Sequence, residues 1–163
     1  MNMVVNEMLA QLRVSTELGR FLPTVVGTAV LNTPLQEVVV ICEASDFSTF
    51  EHQVIKQFWF NDRFKIVKAG EKIEASFVYN DVRFKFIARD ENIFEQILYK
   101  ATFVIQKFDE ETEGKYSTEL KKYLSKYHDF EEGVGTLLNL SMTFEEIKDY
   151  MKTYAQTIVS KIA

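Results

Sequence analysis

Hydrophobic positions recur with two different periods, and the switch between them divides the chain. Val4, Met8, Leu9 and Leu12 share one face of a 3.6-residue turn, which predicts a helix over Asn2 to Arg13. A short turn broken by Gly19 and Pro23 follows, and Thr24-Val25-Val26 predicts a short strand ending at Gly27-Thr28. In the next strand, Glu37 to Glu43, the run Val38-Val39-Val40-Ile41 before Cys42 implies burial on both faces. A second helix starts at Ser45 or Asp46, both good caps, with Ser48 and Glu51 as a further capping pair, and runs to about Trp59.

The period then drops to two. Phe64 to Ala69, Lys72 to Tyr79 and Val82 to Ala88 form a meander turned at Gly70-Glu71 and Asn80-Asp81. Alternation puts Ile73, Ala75, Phe77 and Tyr79, and Val82, Phe84, Phe86 and Ala88, on one face, with Arg83 and Lys85 on the other. Beyond Asp90 the helical period returns through Ile93, Phe94, Ile97, Leu98, Ala101, Val104, Ile105 and Phe108. Further helices fit Tyr116 to Tyr127, Phe130 to Leu140, and Phe144 to about Lys161, the last capped by Thr143 with Glu146. The acidic run Glu110-Glu111-Thr112-Glu113 reads as a solvated, mobile loop. Mixed strands followed by segregated helices describe an α+β fold: a mixed sheet with flanking helices and a helical C-terminal half. The expected organisation is one domain over 1–163, with an α/β part to residue 90 and a helical part from 91.

Composition narrows the function classes. The 163 residues carry fourteen Phe and seven Tyr, so the expected core is built from rings. A net charge of −5 argues against general binding of nucleic acid or of an anionic membrane. The single cysteine, Cys42, lies in an apolar run and reads as an inert buried thiol. No basic, apolar leader opens the chain and no segment approaches the ~20 apolar residues of a bilayer span. The expected address is the cytoplasm, with no membrane partner. His52 and His128 have no metal-ligand spacing, and Trp59, beside Phe58 and Phe60, reads as packing.

Several short runs resemble a nucleotidyltransferase fold. There a Gly-Ser or Gly-Thr follows the first strand, the next strand carries two carboxylates at alternate positions, and a later strand supplies a third. Three carboxylates on one face hold two metal ions against a triphosphate. Over Ile41-Cys42-Glu43-Ala44-Ser45-Asp46-Phe47, Phe50-Glu51, Ala75-Ser76-Phe77-Val78-Tyr79, Glu119-Leu120-Lys121 and Gly133 to Leu140, the chain is similar to a family of small bacterial proteins, the domain of unknown function 4269 family. That resemblance implies a nucleotidyltransferase-like sheet. It makes Glu37 the candidate catalytic acid and Gly27, Thr28 and Lys85 the candidate cofactor-binding residues.

The acidic set is degenerate. The i+2 partner of Glu37 is Val39, and the last meander strand offers Arg83 and Lys85 where an acid is expected. Gly27-Thr28 reads either as a phosphate-binding helix start or as a turn needing a small residue. Glu37 reads as a metal ligand or as a strand-edge acid, and Glu43 and Asp46 suit the positive end of a helix. Arg83, Lys85, Arg89 and Lys65 read as a solvated face or as an anion-binding stripe. The expectation is a non-catalytic protein that binds a small molecule or a protein, without a resident cofactor or metal. The alternatives are an active transferase using magnesium and a nucleotide, and an immunity- or antitoxin-like interaction protein.

Overall fold

The computed structural model describes residues 3–31, 35–138 and 158–162. Five strands, β1 (Thr24–Val26), β2 (Glu37–Glu43), β3 (Asp62–Ala69), β4 (Lys72–Tyr79) and β5 (Val82–Arg89), make one mixed sheet in the order β1-β2-β5-β4-β3. The meander β3-β4-β5 is antiparallel, and β5 closes it by pairing parallel with β2. Asn80 and Asp81 both take positive φ, 49° and 61°, the left-handed pair that a two-residue hairpin turn needs. Gly70, at φ 59°, serves the β3-β4 turn.

Alternation along the strands gives the sheet two different faces. One carries Val38, Val40 and Cys42 from β2, Phe84, Phe86 and Ala88 from β5, and Ile73, Ala75 and Phe77 from β4, all buried. Three helices cover it: α1 (Met3–Gln11), α2 (Val14–Leu18) and α3 (Phe47–Phe58). The rings form a stack in which Phe58 lies 4.8 Å from Phe77 and 5.0 Å from Phe86, and Phe77 lies 5.6 Å from Phe84. Each fully buried Phe contributes about 1.5–3 kcal/mol of transfer free energy, so the aromatic surplus is spent here.

The α3 start matches the sequence in part. Asp46 is the cap, accepting from the N–H groups of Ser48 and Thr49 and from the Thr49 hydroxyl. The hydroxyl bond, then the two amides, hold its carboxyl below the usual carboxylate range. Glu51 does not return to Ser48; it pairs with Lys68 at 2.6 Å.

The opposite face supports the C-terminal helices α4 (Ile97–Glu111), α5 (Ser117–Leu124) and α6 (Phe130–Leu138). Their core gathers Val104, Ile105, Phe108, Leu120, Leu124, Val134, Leu137 and Ile158, and Val30 and Leu31 reach into it from the loop after β1. Residues 158–162 are helical. The expected ends Asn139 to Leu140, the Thr143–Glu146 cap and most of the final helix lie outside the described residues.

Four expectations are corrected. The first helix ends near Arg13, which adopts φ 57°, but a second helix, α2, follows where a turn is expected, and the buried face is Val5, Met8 and Leu12, with Val4 exposed. The stripe from Ile93 is also broken, because Ile93–Glu95 is a 3-10 turn and Phe94 and Ile97 face outward. Glu110 and Glu111 belong to α4, where Lys107 pairs with Glu110 at 3.4 Å. Trp59 is 64% exposed, edge-on to an equally exposed Phe60. Its neighbour Phe58 completes the buried i, i+4, i+8 row with Phe50 and Val54, and the next position turns off that row.

Candidate functional site

The second face of the sheet is where polar side chains converge. Strand register places Glu37 beside Arg83, Val39 beside Lys85 and Glu43 beside Arg89, and continues from Lys85 to Ser76 and from Arg89 to Lys72. Position 74 on β4 is diagonal to Lys85, as is position 37 on β2, close enough for a long side chain to reach both. The Lys85 ammonium lies 3.5 Å from Glu37 and 4.0 Å from Glu74. These partly exposed pairs contribute at most about 1 kcal/mol each to stability. Their importance is positional, since one built-in cation stands between the two carboxylates.

This trio floors a cleft of about 150 Å³, lined also by Val39, Lys72, Ile87, Arg89 and Gln96 and, across from the sheet, by His128 and Asp129 just before α6 and by Phe130 and Glu131 in its first turn. Gln96 is 2% exposed, and its side-chain amide donates to the carbonyls of Cys42 and Glu91 at 3.2 and 3.0 Å. Its Oε1 has no donor among the described residues, so a buried acceptor lines the cleft. Leaving such a group without a partner costs about 1–3 kcal/mol, which a ligand N–H or hydroxyl donor would recover.

The other sequence candidates separate from this cluster. Gly27, at φ 77°, is buried, and its N–H donates to Thr102 Oγ1 at 2.8 Å. Thr28 follows within a four-residue 3-10 turn, Gly27–Val30, whose first amide is thus committed to α4. Glu43 accepts from the Ile93 N–H at 3.3 Å and so caps the turn before α4, not α3. Cys42 is fully buried, and burial pushes its thiol up to about 12. His128, for which the sequence offered no role, lines the cleft.

Glu74, Lys72, Gln96 and residues 128–131 escaped the sequence reading. Alternation with Ile73 did place Glu74 and Lys72 opposite the core face, the one signal available for them. A divalent ion does not fit this arrangement, because an ammonium occupies the space between Glu37 and Glu74. Among the described residues, no three His, Cys, Asp or Glu side chains gather as a metal site. No described helix is long and apolar enough to cross a membrane.

No curated protein and no solved structure matches the chain. A family model, Domain of unknown function (DUF4269), matches residues 7–153, so the cleft, the aromatic core and most of the helical half fall within the matched span. The chain belongs to the DUF4269 family.

Proposed function

We propose that this is a non-catalytic binding protein on a nucleotidyltransferase-like scaffold, which takes a polar small molecule into the cleft between the second sheet face and the turn before α6. One observation carries the reading: Lys85 stands between Glu37 and Glu74 where a catalytic relative would hold a metal ion. The element order supports the scaffold, since β1, the Gly27-Thr28 turn, β2 and a parallel β5 beside it give the arrangement that the resemblance implies. In such a scaffold the second and third acids would come from positions 39 and 85, which here are Val39 and Lys85. Acidic and basic groups alternate around the cleft, with Gln96 Oε1 as a buried acceptor, and this suits a ligand bearing both a cation or N–H donors and an anion. A cytoplasmic, bacterial setting belongs to the same reading, supported by the single buried thiol and the family resemblance.

A thermal-shift panel of nucleoside triphosphates and polar metabolites, with and without Mg²⁺, tests it. A ligand at ~100 times its Kd adds about 2.7 kcal/mol of stability, about 5–11 °C for a chain of this size. The expected result is stabilisation by a polar metabolite, unchanged by Mg²⁺ and lost in Lys85→Met. Mg²⁺-dependent stabilisation by a nucleotide, abolished by Glu37→Ala, would refute the non-catalytic reading. A panel flat for every compound would refute the small-molecule reading in favour of a protein partner.

A further inference from the structure

Beyond the cleft, the same sheet face holds a second pocket, of about 230 Å³, lined by Arg63, Lys65, Ser76, Phe77, Val78 and Arg83. Three of these side chains are cations, none is an acid, and none of the three cations forms an ion pair among the described residues. The acid beside Arg83 in register, Glu37, makes its pair with Lys85 instead, and Asp62, opposite Val78, forms no ion pair among the described residues. Lys85 thus collects both Glu37 and Glu74, and the cations further along the face are left without a counter-charge.

The centre of this pocket is a built feature, independent of the surface charges. Ser76 is 4% exposed, and its hydroxyl has no hydrogen-bond partner among the described residues. It pairs in register with Lys65 on one side and Lys85 on the other, so it shares their face and lines the pocket. A buried hydroxyl left unpaired is costly, and one ringed by cations is satisfied by an anionic oxygen. The rim is also shaped. The register of β3 shifts between Asp62 and Lys65, and Arg63 within that bulge takes φ 56°. Bulges commonly re-aim a side chain, and here Arg63 and Lys65 border one pocket. Since a water's share of liquid volume is about 30 Å³, a tetrahedral oxyanion fits with room for solvent.

We propose that this pocket is a phosphate site: Arg63, Arg83 and Lys65 neutralise a phosphate group whose oxygen accepts from the Ser76 hydroxyl. Two arginine forks with a lysine suit a dianion better than a carboxylate, because guanidinium groups bind phosphate oxygens in pairs. The site is separate from the cleft over Lys85 and does not depend on what the cleft binds.

Titration of the full chain with inorganic phosphate and with glycerol 3-phosphate, by calorimetry at fixed ionic strength, tests the assignment. Saturable binding is expected in at least one arm. A monoester that binds more tightly identifies the source as an organic phosphate, and equal affinities identify the free anion. Arg63→Gln and Arg83→Gln should each weaken binding by about tenfold or more, and Ser76→Ala by severalfold. Lys115→Gln, an exposed cation elsewhere, and His128→Ala, in the cleft, should each change it less than about twofold. Absence of saturable binding in both arms overturns the proposal. So does binding indifferent to Arg83→Gln and Ser76→Ala, or weakened equally by Lys115→Gln. The cleft reading stands or falls separately, because its readout is metabolite stabilisation lost in Lys85→Met.

Discussion

Thr102→Val removes one oxygen and tests whether Gly27 holds the fold together. Thr102 lies on α4 with 4% exposure; its Oγ1 accepts from the Gly27 N–H at 2.8 Å and donates to the Leu98 carbonyl at 2.7 Å. Valine keeps the volume and the branched shape, and its helix propensity is close to that of threonine. The Leu98 carbonyl is not stranded, since it lies four residues back in the same helix and keeps its backbone partner. The Gly27 amide is stranded, because it is buried and has no other acceptor among the described residues. An orphaned buried donor costs about 1–3 kcal/mol. At about 2 kcal/mol the variant should melt about 4–8 °C below the parent, with a lower urea midpoint and an unchanged slope. Thr102→Ser, which restores the oxygen, should recover most of the loss. A Thr102→Val protein within about 0.5 kcal/mol of the parent, near the scatter of neutral substitutions, would refute the anchoring role and return the Gly27 amide to the pool of free donors.

Three further outcomes follow from the core and the turns. Gly27→Ala meets no atom within 4 Å of its new Cβ, so its cost comes only from φ 77°, about 1–2 kcal/mol, measured by urea unfolding. Phe77→Ala, in the middle of the ring stack, should cost about 3–5 kcal/mol, and Phe77→Leu clearly less; equal losses would show that the ring itself, and not the buried volume, sets the cost. Cys42 should resist thiol reagents until the chain unfolds. Its folded pKa, about 12, lies above the ~8.5 of an unfolded thiol, so above pH 8.5 the unfolded state alone loses the proton. Stability therefore falls as pH rises through that window, by up to about 1.4 kcal/mol per pH unit, and Cys42→Ala should flatten this part of the profile relative to the parent.

The sheet was legible in the sequence because its signals are local. Alternation from Ile73 to Tyr79 and from Val82 to Ala88 fixed which residues face the core, and the Asn80-Asp81 turn fixed their pairing. The longer helices were legible in the sequence, but the short helix Val14–Leu18 and the breaks were not. Nothing in the spacing of Val4, Met8 and Leu12 announces that a second helix, Val14–Leu18, follows the left-handed Arg13. Near Trp59, transfer free energy argues for burial while helix phase argues against it, and phase decides. The 3-10 turn at Ile93–Glu95 owes its position to Gln96, whose amide is tied to Cys42 and Glu91. The tie to Cys42 is tertiary, and the one local signal is Asn92, whose side chain accepts from the Phe94 N–H at 2.9 Å.

The candidate site was legible only through a partner that periodicity does not supply. Nothing local says that β5 lies parallel to β2, and without that register Lys85 has no reason to meet Glu37. The resemblance brought positions 37, 39 and 85 together, but not Glu74, because it supplies no role for a basic residue at 85. Once Lys85 is placed, the charge distribution of the whole face follows. Two carboxylates that would repel each other are drawn to one ammonium, and neither remains available to the arginines on β3 and β5. The lysine at 85 that draws both acids to itself therefore also leaves a cationic pocket around Ser76 without an ion pair among the described residues. If Lys85→Glu restored an acidic cluster, the carboxylate freed at Glu37 would lie nearest Arg83 in register and compete with any anion there. Phosphate affinity should then fall in that variant although residue 85 does not line the pocket.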